Sequence, residues 1–279
     1  MTPKDVTSTA TKEDIEKQKN QRKTQQTALT VIKEYARSTE IQTRFENMLG
    51  NRSGKNYIES VIIAVTNNDA LQKCDPRSIM VSAMRAASLK LSVDPALKQA
   101  HLVPFKNAAT LIVDYHGLVQ LTTQTGMYID PPHVGPIYKG EQIKVNRFNG
   151  KIDIEGEKKA DEIIGWLGYF KDIYHNERYL YMTNEECDAH GKKYNPGGFN
   201  SNSSAWATDR DKMRRKTVLR QLVSRWGYFS PATKSVIFEE PEVIEGKVED
   251  MPEVPEEPTL QPQRTEKENL EQLGFEGAA

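Results

Sequence analysis

Apolar residues recur three and four positions apart over the first third of the chain, which is the helical period. Leu29, Ile32 and Tyr35, then Ile41, Phe45, Met48 and Leu49, predict helix from Thr27 to a stop at Gly50. Ile58, Val61, Ile62 and Val65 predict a second helix over 56–66. Asp75-Pro76 opens a third, because an aspartate caps with its carboxylate and proline is tolerated at the first helical position. Ile79, Met80, Ala83, Ala86 and Ala87 give that helix its inner side, and Asp94-Pro95 is its expected break.

The pattern then shortens to that of strands. His101–Phe105 and Thr110–Tyr115 read as a hairpin across Lys106-Asn107. Gly117–Gln124 reads as an inserted helix. Ile137–Phe148 and Ile163–Tyr174 read as strands, and Arg178–Met182 pairs with the latter across His175-Asn176-Glu177. Thr183 caps a short helix through Glu185 and Glu186, and Tyr194–Ser204 is a polar, glycine-containing loop. Ala205–Trp226 is the last long helix, with Val218, Leu219, Leu222, Val223 and Trp226 on one side. The expected class is α+β: N-terminal helices, a central antiparallel β-rich region with an inserted helix, a long basic C-terminal helix and a disordered acidic tail.

Composition sharpens the ends. Among residues 1–26 only Met1, Val6, Ala10 and Ile15 are apolar, so this stretch is expected to be flexible. Residues 27–238, of ordinary globular composition, form the expected folded core. Residues 239–264 read as an acidic, proline-rich linker and 265–279 as a short partner-docking segment presenting Leu270, Leu273 and Phe275. The longest apolar run, Val61–Val65, is far short of the roughly 20 residues of a membrane span. No charged-then-apolar leader opens the sequence, so the expected location is the cytoplasm, with no membrane partner. Cys74 and Cys187 give no disulfide framework.

A net charge of −1 conceals a strong asymmetry. Residues 239–279 hold 13 acids against Lys247, Arg264 and Lys267, or −10, leaving 35 bases against 26 acids, or +9, in the remainder. A basic body with an acidic tail points to a polyanionic partner. The bases concentrate in and before the last helix: Lys192, Lys193 and Tyr194, then Trp206, Arg210, Lys212, Arg214, Arg215, Lys216, Arg220 and Arg225. Arg210, Arg214 and Arg225 fall opposite the apolar side, with Lys216 and Arg220 on a flank. Such a helix lines a phosphate track, or is simply solvated. A second basic set, Lys106, Lys139, Lys144, Arg147 and Lys151, lies in the strand region, and Lys106, Lys144 and Arg147 are the candidates for an opposite wall. Trp206 either stacks on bases or anchors the helix start in the core.

Other chemistry finds little support. Gly50-Asn51-Arg52-Ser53-Gly54-Lys55-Asn56 is one residue short of a phosphate loop, follows a helix, and lacks the hydroxyl that holds magnesium. The five histidines are scattered, and neither cysteine has a partner at ligand spacing, so no metal site is expected. Asp153 with Glu155 and Glu157, or Glu185 with Glu186, are the acids to weigh as a magnesium nuclease, against the default of solvated carboxylates in polar, turn-like stretches. A protein adaptor acting through the tail is the other alternative.

Several segments together resemble the RecT family of phage-type single-strand DNA annealing proteins. They are Cys74–Ile79, Ala86–Val93, His101–Phe105, Tyr115–Leu121, and Trp206 followed by Met213–Arg220, in order between Thr27 and Phe238. Phe105 departs from the tyrosine common there. The resemblance implies a non-catalytic protein that coats single-stranded DNA and pairs it with its complement without ATP, acting as a ring or helical filament in homologous recombination. No catalytic residue and no cofactor are implied, with Mg2+ only as a DNA counterion. The implied partners are single-stranded DNA, the annealed duplex, other copies of the chain, an exonuclease and a host single-stranded DNA-binding protein.

Overall fold

A computed structural model describes residues 28–194, 199–202, 204–238 and 251–254. Four helices open it: α1 (residues 28–36), α2 (Thr39–Leu49), α3 (Asn51–Thr66) and α4 (Pro76–Ser88). The first predicted helix is two. At about 100° per residue, Ile41 falls roughly opposite Ile32, so one straight helix could not bury both. The chain breaks at Arg37-Ser38, and Ile32, Tyr35, Ile41 and Phe45 all reach the core.

The glycines that imitate a phosphate loop make a helical corner. Gly50, at φ +86°, joins α2 to α3, and α3 begins five residues earlier than its apolar spacing suggests. Gly54 lets the two helices touch, since a Cβ there would lie 2.7 Å from the Glu46 nitrogen. Asp75 caps α4 as predicted, accepting from the Arg77 and Ser78 amides at 3.3 and 3.2 Å. That helix stops at Ser88, before Asp94-Pro95, and Leu91 and Val93 are buried outside any helix or strand.

β1 (Ala100–Phe105) and β2 (Ala108–Val113) form the expected hairpin against α4. Ser82 Oγ donates to the Ala109 carbonyl at 2.7 Å, and the Ala109 amide donates to Ser78 Oγ at 2.9 Å. After α5 (Tyr115–Gln124) the main sheet has strand order β3 (Tyr128–Tyr138), β6 (Ile163–Asp172), β7 (Glu177–Thr183), all antiparallel. The predicted strand Ile137–Phe148 divides at Gly140, φ +103°, into the end of β3 and β4 (Glu141–Val145), which pairs with β5 (Ile152–Gly156). Pro131, Pro132 and Pro136 disguise β3 as loop; the ladder shifts register between Tyr128 and Asp130 and again before His133.

Thr183 and Glu186 close a capping box at α6 (Asn184–Tyr194), each side chain accepting the other's backbone N–H at 3.2 and 2.9 Å. That helix runs well past Glu186. The expected helix Ala205–Trp226 is broken at Asp209, φ −136°, into α7 (Ala205–Thr208) and α8 (Arg210–Trp226), and α9 (Pro231–Phe238) follows unannounced. α8 packs on the sheet with Val218, Leu219, Leu222 and Val223 buried; Trp226, expected beside them, is 37% exposed. Gly168 of β6 admits Leu222, which lies 3.2 Å from where a Cβ would stand.

Residues 251–254, inside the expected linker, pack on the N-terminal helices. Met251 is buried, Val254 touches the core, and the Tyr35 hydroxyl donates to the Pro252 carbonyl at 2.9 Å. Burial, with nearby Arg77, Asp75, Arg44 and Glu40 acting in both directions, pushes the Tyr35 hydroxyl up to about 12. Residues 1–27, most of the acidic tail, and Leu270, Leu273 and Phe275 lie outside the described residues.

Candidate nucleic-acid interface

The bases of α8 do not form one free row. Arg214, expected opposite the buried side, is only 15% exposed because α6 covers it. Asp188 of α6 accepts from its Nε and Nη2 at 2.9 Å each, and Asp211 accepts from Nη1 at 3.0 Å. Hydrogen bonding to Arg214 holds the Asp188 carboxyl below its ordinary range against the effect of burial. Arg220 is enclosed by α9: it donates to the Ile237 carbonyl at 2.6 Å and lies over the Phe238 ring, and burial lowers its pKa. Lys216 points toward the β2–α5 corner, where its ammonium meets Asp114 at 2.9 Å. Burial alone would raise the Asp114 carboxyl, but the His101 hydrogen bond and the Lys216 charge outweigh it and hold the group well below the carboxylate range.

Arg215 stacks on Tyr115, with its guanidinium carbon 4.3 Å from the ring centroid and one terminal nitrogen donating to the hydroxyl at 3.1 Å. Its Nε is buried without a partner. The same side chain borders an open cleft of about 400 Å³ beneath the start of α8, with Lys212, Asp211, His133, Pro136 and Trp166 around it. Lys212 is 80% exposed and pairs with Asp209 of its own turn at 2.6 Å. Arg210 is half-exposed, 5.4 Å over the Phe199 ring and 3.9 Å from Asp188. Lys192 reaches over the same ring at 5.5 Å, while Lys193 lies over Tyr194, which is itself exposed and packed on His190.

Trp206 is 4% exposed, packed on Phe199 and pressed into the space of the absent Cβ of Gly191. Of the two roles open to it, burial selects the anchor of the helix start. The structure thus gathers Lys192, Lys193, Tyr194, Arg210, Lys212 and Arg215 near the α6–α8 surface, and spends Arg214, Lys216 and Arg220 on fixing α8. Tyr115, Asp114 and Asp188 control these bases from other elements, and no local pattern in the sequence links them to α8.

The strand-region bases lie elsewhere. Lys106 occupies the turn of β1–β2, five residues beyond His101 and so roughly 16 Å from the end that meets Lys216. Lys144 and Arg147 belong to the β4–β5 hairpin, which packs substantially on no other named element. None of the three is in substantial contact with α8 within one chain. Two of the acids weighed for magnesium are engaged by lysines, Glu155 with Lys144 at 2.8 Å and Asp153 with Lys151 at 3.0 Å. Among the described residues no group of three His, Cys, Asp or Glu side chains is placed to hold a metal ion, and no helix is long and apolar enough to cross a membrane.

The model of the RecT family matches residues 55–253, from within α3 through the whole of α8 and the docked segment. The chain is also 33% identical over 241 residues to the uncharacterized protein YqaK of Bacillus subtilis (strain 168), covering 86% of this chain and 82% of that protein. With most of its core matched in order by that model, the chain belongs to the RecT family.

Proposed function

We propose that this protein binds single-stranded DNA and anneals complementary strands in phage-type homologous recombination, without ATP and as a ring or helical-filament oligomer. The observation that carries the reading is the RecT match over residues 55–253, which spans every base assigned here to the α6–α8 surface. Annealing is downhill by roughly 1.4 kcal/mol per base-pair step, so the protein has only to lower the barrier. That barrier is phosphate repulsion and intrastrand pairing. Lys192, Lys193, Arg210 and Lys212 neutralise the first strand from outside, and Arg215 meets it at the cleft while Tyr115 fixes its plane. Arg214, Lys216 and Arg220 hold the helix at the angle that presents them. No bond changes, so no catalytic group or resident cofactor is required, and Mg2+ acts only as a counterion of the DNA. An exonuclease and a host single-stranded DNA-binding protein are the proposed further partners.

The test is annealing of two labelled complementary oligonucleotides, followed by fluorescence quenching without nucleotide, for wild type and Lys212→Ala/Arg215→Ala. Wild type should accelerate pairing, and the double variant should bind single strands with a salt slope shallower by about 1.4. Equal rates and slopes would move the site off α8. No acceleration by wild type would end the annealing reading, and shortening of the DNA in magnesium, lost in Asp153→Ala, would replace it with a nuclease.

A further inference from the structure

The far end of α8 carries an aromatic and basic surface that the α6–α8 site does not use. The helix starts beside Val134 and Trp166 and packs over Gly168, where Leu222 and Val218 lie 3.2 and 3.3 Å from the position of the absent Cβ. Tyr228, two residues past its last residue Trp226, packs on Tyr128 and donates to Asp172 at 2.6 Å. Phe170 packs edge-on against the same Tyr128 and pairs across the strands with Arg178. Residues opposite each other in antiparallel strands share a face. Arg178 and the last turn of α8 therefore lie toward one end of one face of the sheet.

Four side chains stand in solvent there. Trp226 is 37% and Tyr174 67% exposed, and Arg178 and Arg225 are exposed as well. The Arg225 guanidinium carbon lies 6.0 Å from the Trp226 ring centroid. Among the described residues neither arginine is held by a carboxylate, in contrast to Arg214 and Lys216. The acid buried at this corner, Asp172, is already engaged. It accepts from the Tyr174 and Asn176 amides at 2.9 and 2.8 Å, from Asn176 Nδ2 at 3.0 Å and from the Tyr228 hydroxyl. One carboxylate thus ties the β6–β7 turn, which carries Tyr174, to the segment that follows Trp226.

Exposed aromatics beside unpaired arginines suit a strand of nucleic acid. Every base offers a face on which an indole or a phenol stacks, and guanidinium groups answer phosphates. Annealing brings two polyanions together, and the surface at the start of α8 accounts for one of them. With 17 residues, α8 sets its two ends about 24 Å apart, or about three screening lengths at physiological salt. A strand held at each end feels little repulsion from the other.

We propose that the C-terminal end of α8, with Arg178, Arg225, Trp226 and Tyr174, receives the second, complementary strand. The inference rests on the annealing reading above and adds to it a separate site for the incoming strand. Trp226 and Tyr174 stack on bases of that strand, while Arg178 and Arg225 neutralise its phosphates.

The test saturates the full chain with one oligonucleotide, adds the complement, and follows tryptophan emission and pairing together. Of the three tryptophans, Trp166 and Trp206 are buried, so Trp226 is the reporter of stacking. Emission should drop as the complement arrives, and that step should be missing in Trp226→Phe. Arg178→Gln/Arg225→Gln should melt like wild type, bind the first strand with unchanged affinity, and anneal about tenfold more slowly. First-strand affinity that falls in step with the rate would make the two ends of α8 one continuous track. An unchanged rate would take DNA away from this end altogether. Either result overturns the proposal and leaves annealing itself standing. A change in Trp226 emission on deleting residues 239–279 without DNA would make the acidic tail the occupant, and overturns it too. No acceleration of pairing by wild type overturns the annealing reading and this inference with it.

Discussion

Asp188 decides, as a single residue, what two cations of α8 can do. Its carboxylate takes both arms of Arg214 and lies beside Arg210, so it withdraws the first from solvent and leaves the second partly free. A carboxyl whose pKa falls on folding contributes stability that is full above its unfolded value, about 3.9. That contribution is lost as the pH drops through the lowered folded value. Asp188→Asn should therefore melt well below wild type at pH 7, leaving Arg214 enclosed beside a neutral partner, with a deficit that shrinks below about pH 4. Circular-dichroism melts at pH 7, 5 and 3.5 measure this, and a deficit independent of pH would assign the loss to shape instead of charge. Trp206 makes a complementary case. Its distance from the basic run left stacking and anchoring open, because Phe199 and Gly191, which enclose it, lie outside its helix. Trp206→Ala should cost about 3–5 kcal/mol in urea unfolding. A variant that kept its stability but lost annealing would restore the stacking role.

Elements with a local signal were legible in order and kind. Asp75-Pro76 is the clearest, since cap and first-turn proline are adjacent and the carboxylate takes two amides. Asp75→Ala should cost about 1 kcal/mol and Asp75→Asn only a few tenths, read as shifts in the urea midpoint at constant slope. A loss from Asn as large as from Ala would point to the charge rather than the cap. The hairpin β1–β2, the pairing of β6 with β7 and the buried side of α8 were equally readable, because each depends on neighbours in sequence. Boundaries failed where a distant element intervenes. The break between α1 and α2 follows from a change of apolar phase that a list of apolar positions conceals. Strand β3 is masked by three prolines that the ladder absorbs as register shifts. The polar face of α8 was the costliest misreading: α6 and α9 cover parts of it, and a helical wheel drawn for α8 alone contains neither.

The whole molecule sets a body of +9 against a tail of −10, and residues 251–254 show that the tail is attached to that body before its end. Charge and attachment can be separated, because they change at different points along the tail. A chain ending at residue 254 loses six acids and two bases, or −4, and keeps Met251, Pro252 and Val254. A chain ending at residue 238 loses the full −10 and uncovers Tyr35. Affinity for single-stranded DNA at low salt should rise in two steps, following the charge removed, and the steps should shrink as salt screens them. Stability should fall in one step only, by about 2 kcal/mol between the two truncations, the cost of exposing one buried methionine and its neighbours. The same step should bring the Tyr35 hydroxyl down from about 12 toward an ordinary phenol, visible in a spectrophotometric titration. If both truncations still anneal, the body alone carries the reaction and the tail modulates it. If the shorter chain melts like the longer one, the 251–254 contact contributes nothing; if either loses annealing outright, the tail belongs to the DNA machinery and the basic surface of α8 is an incomplete account of it.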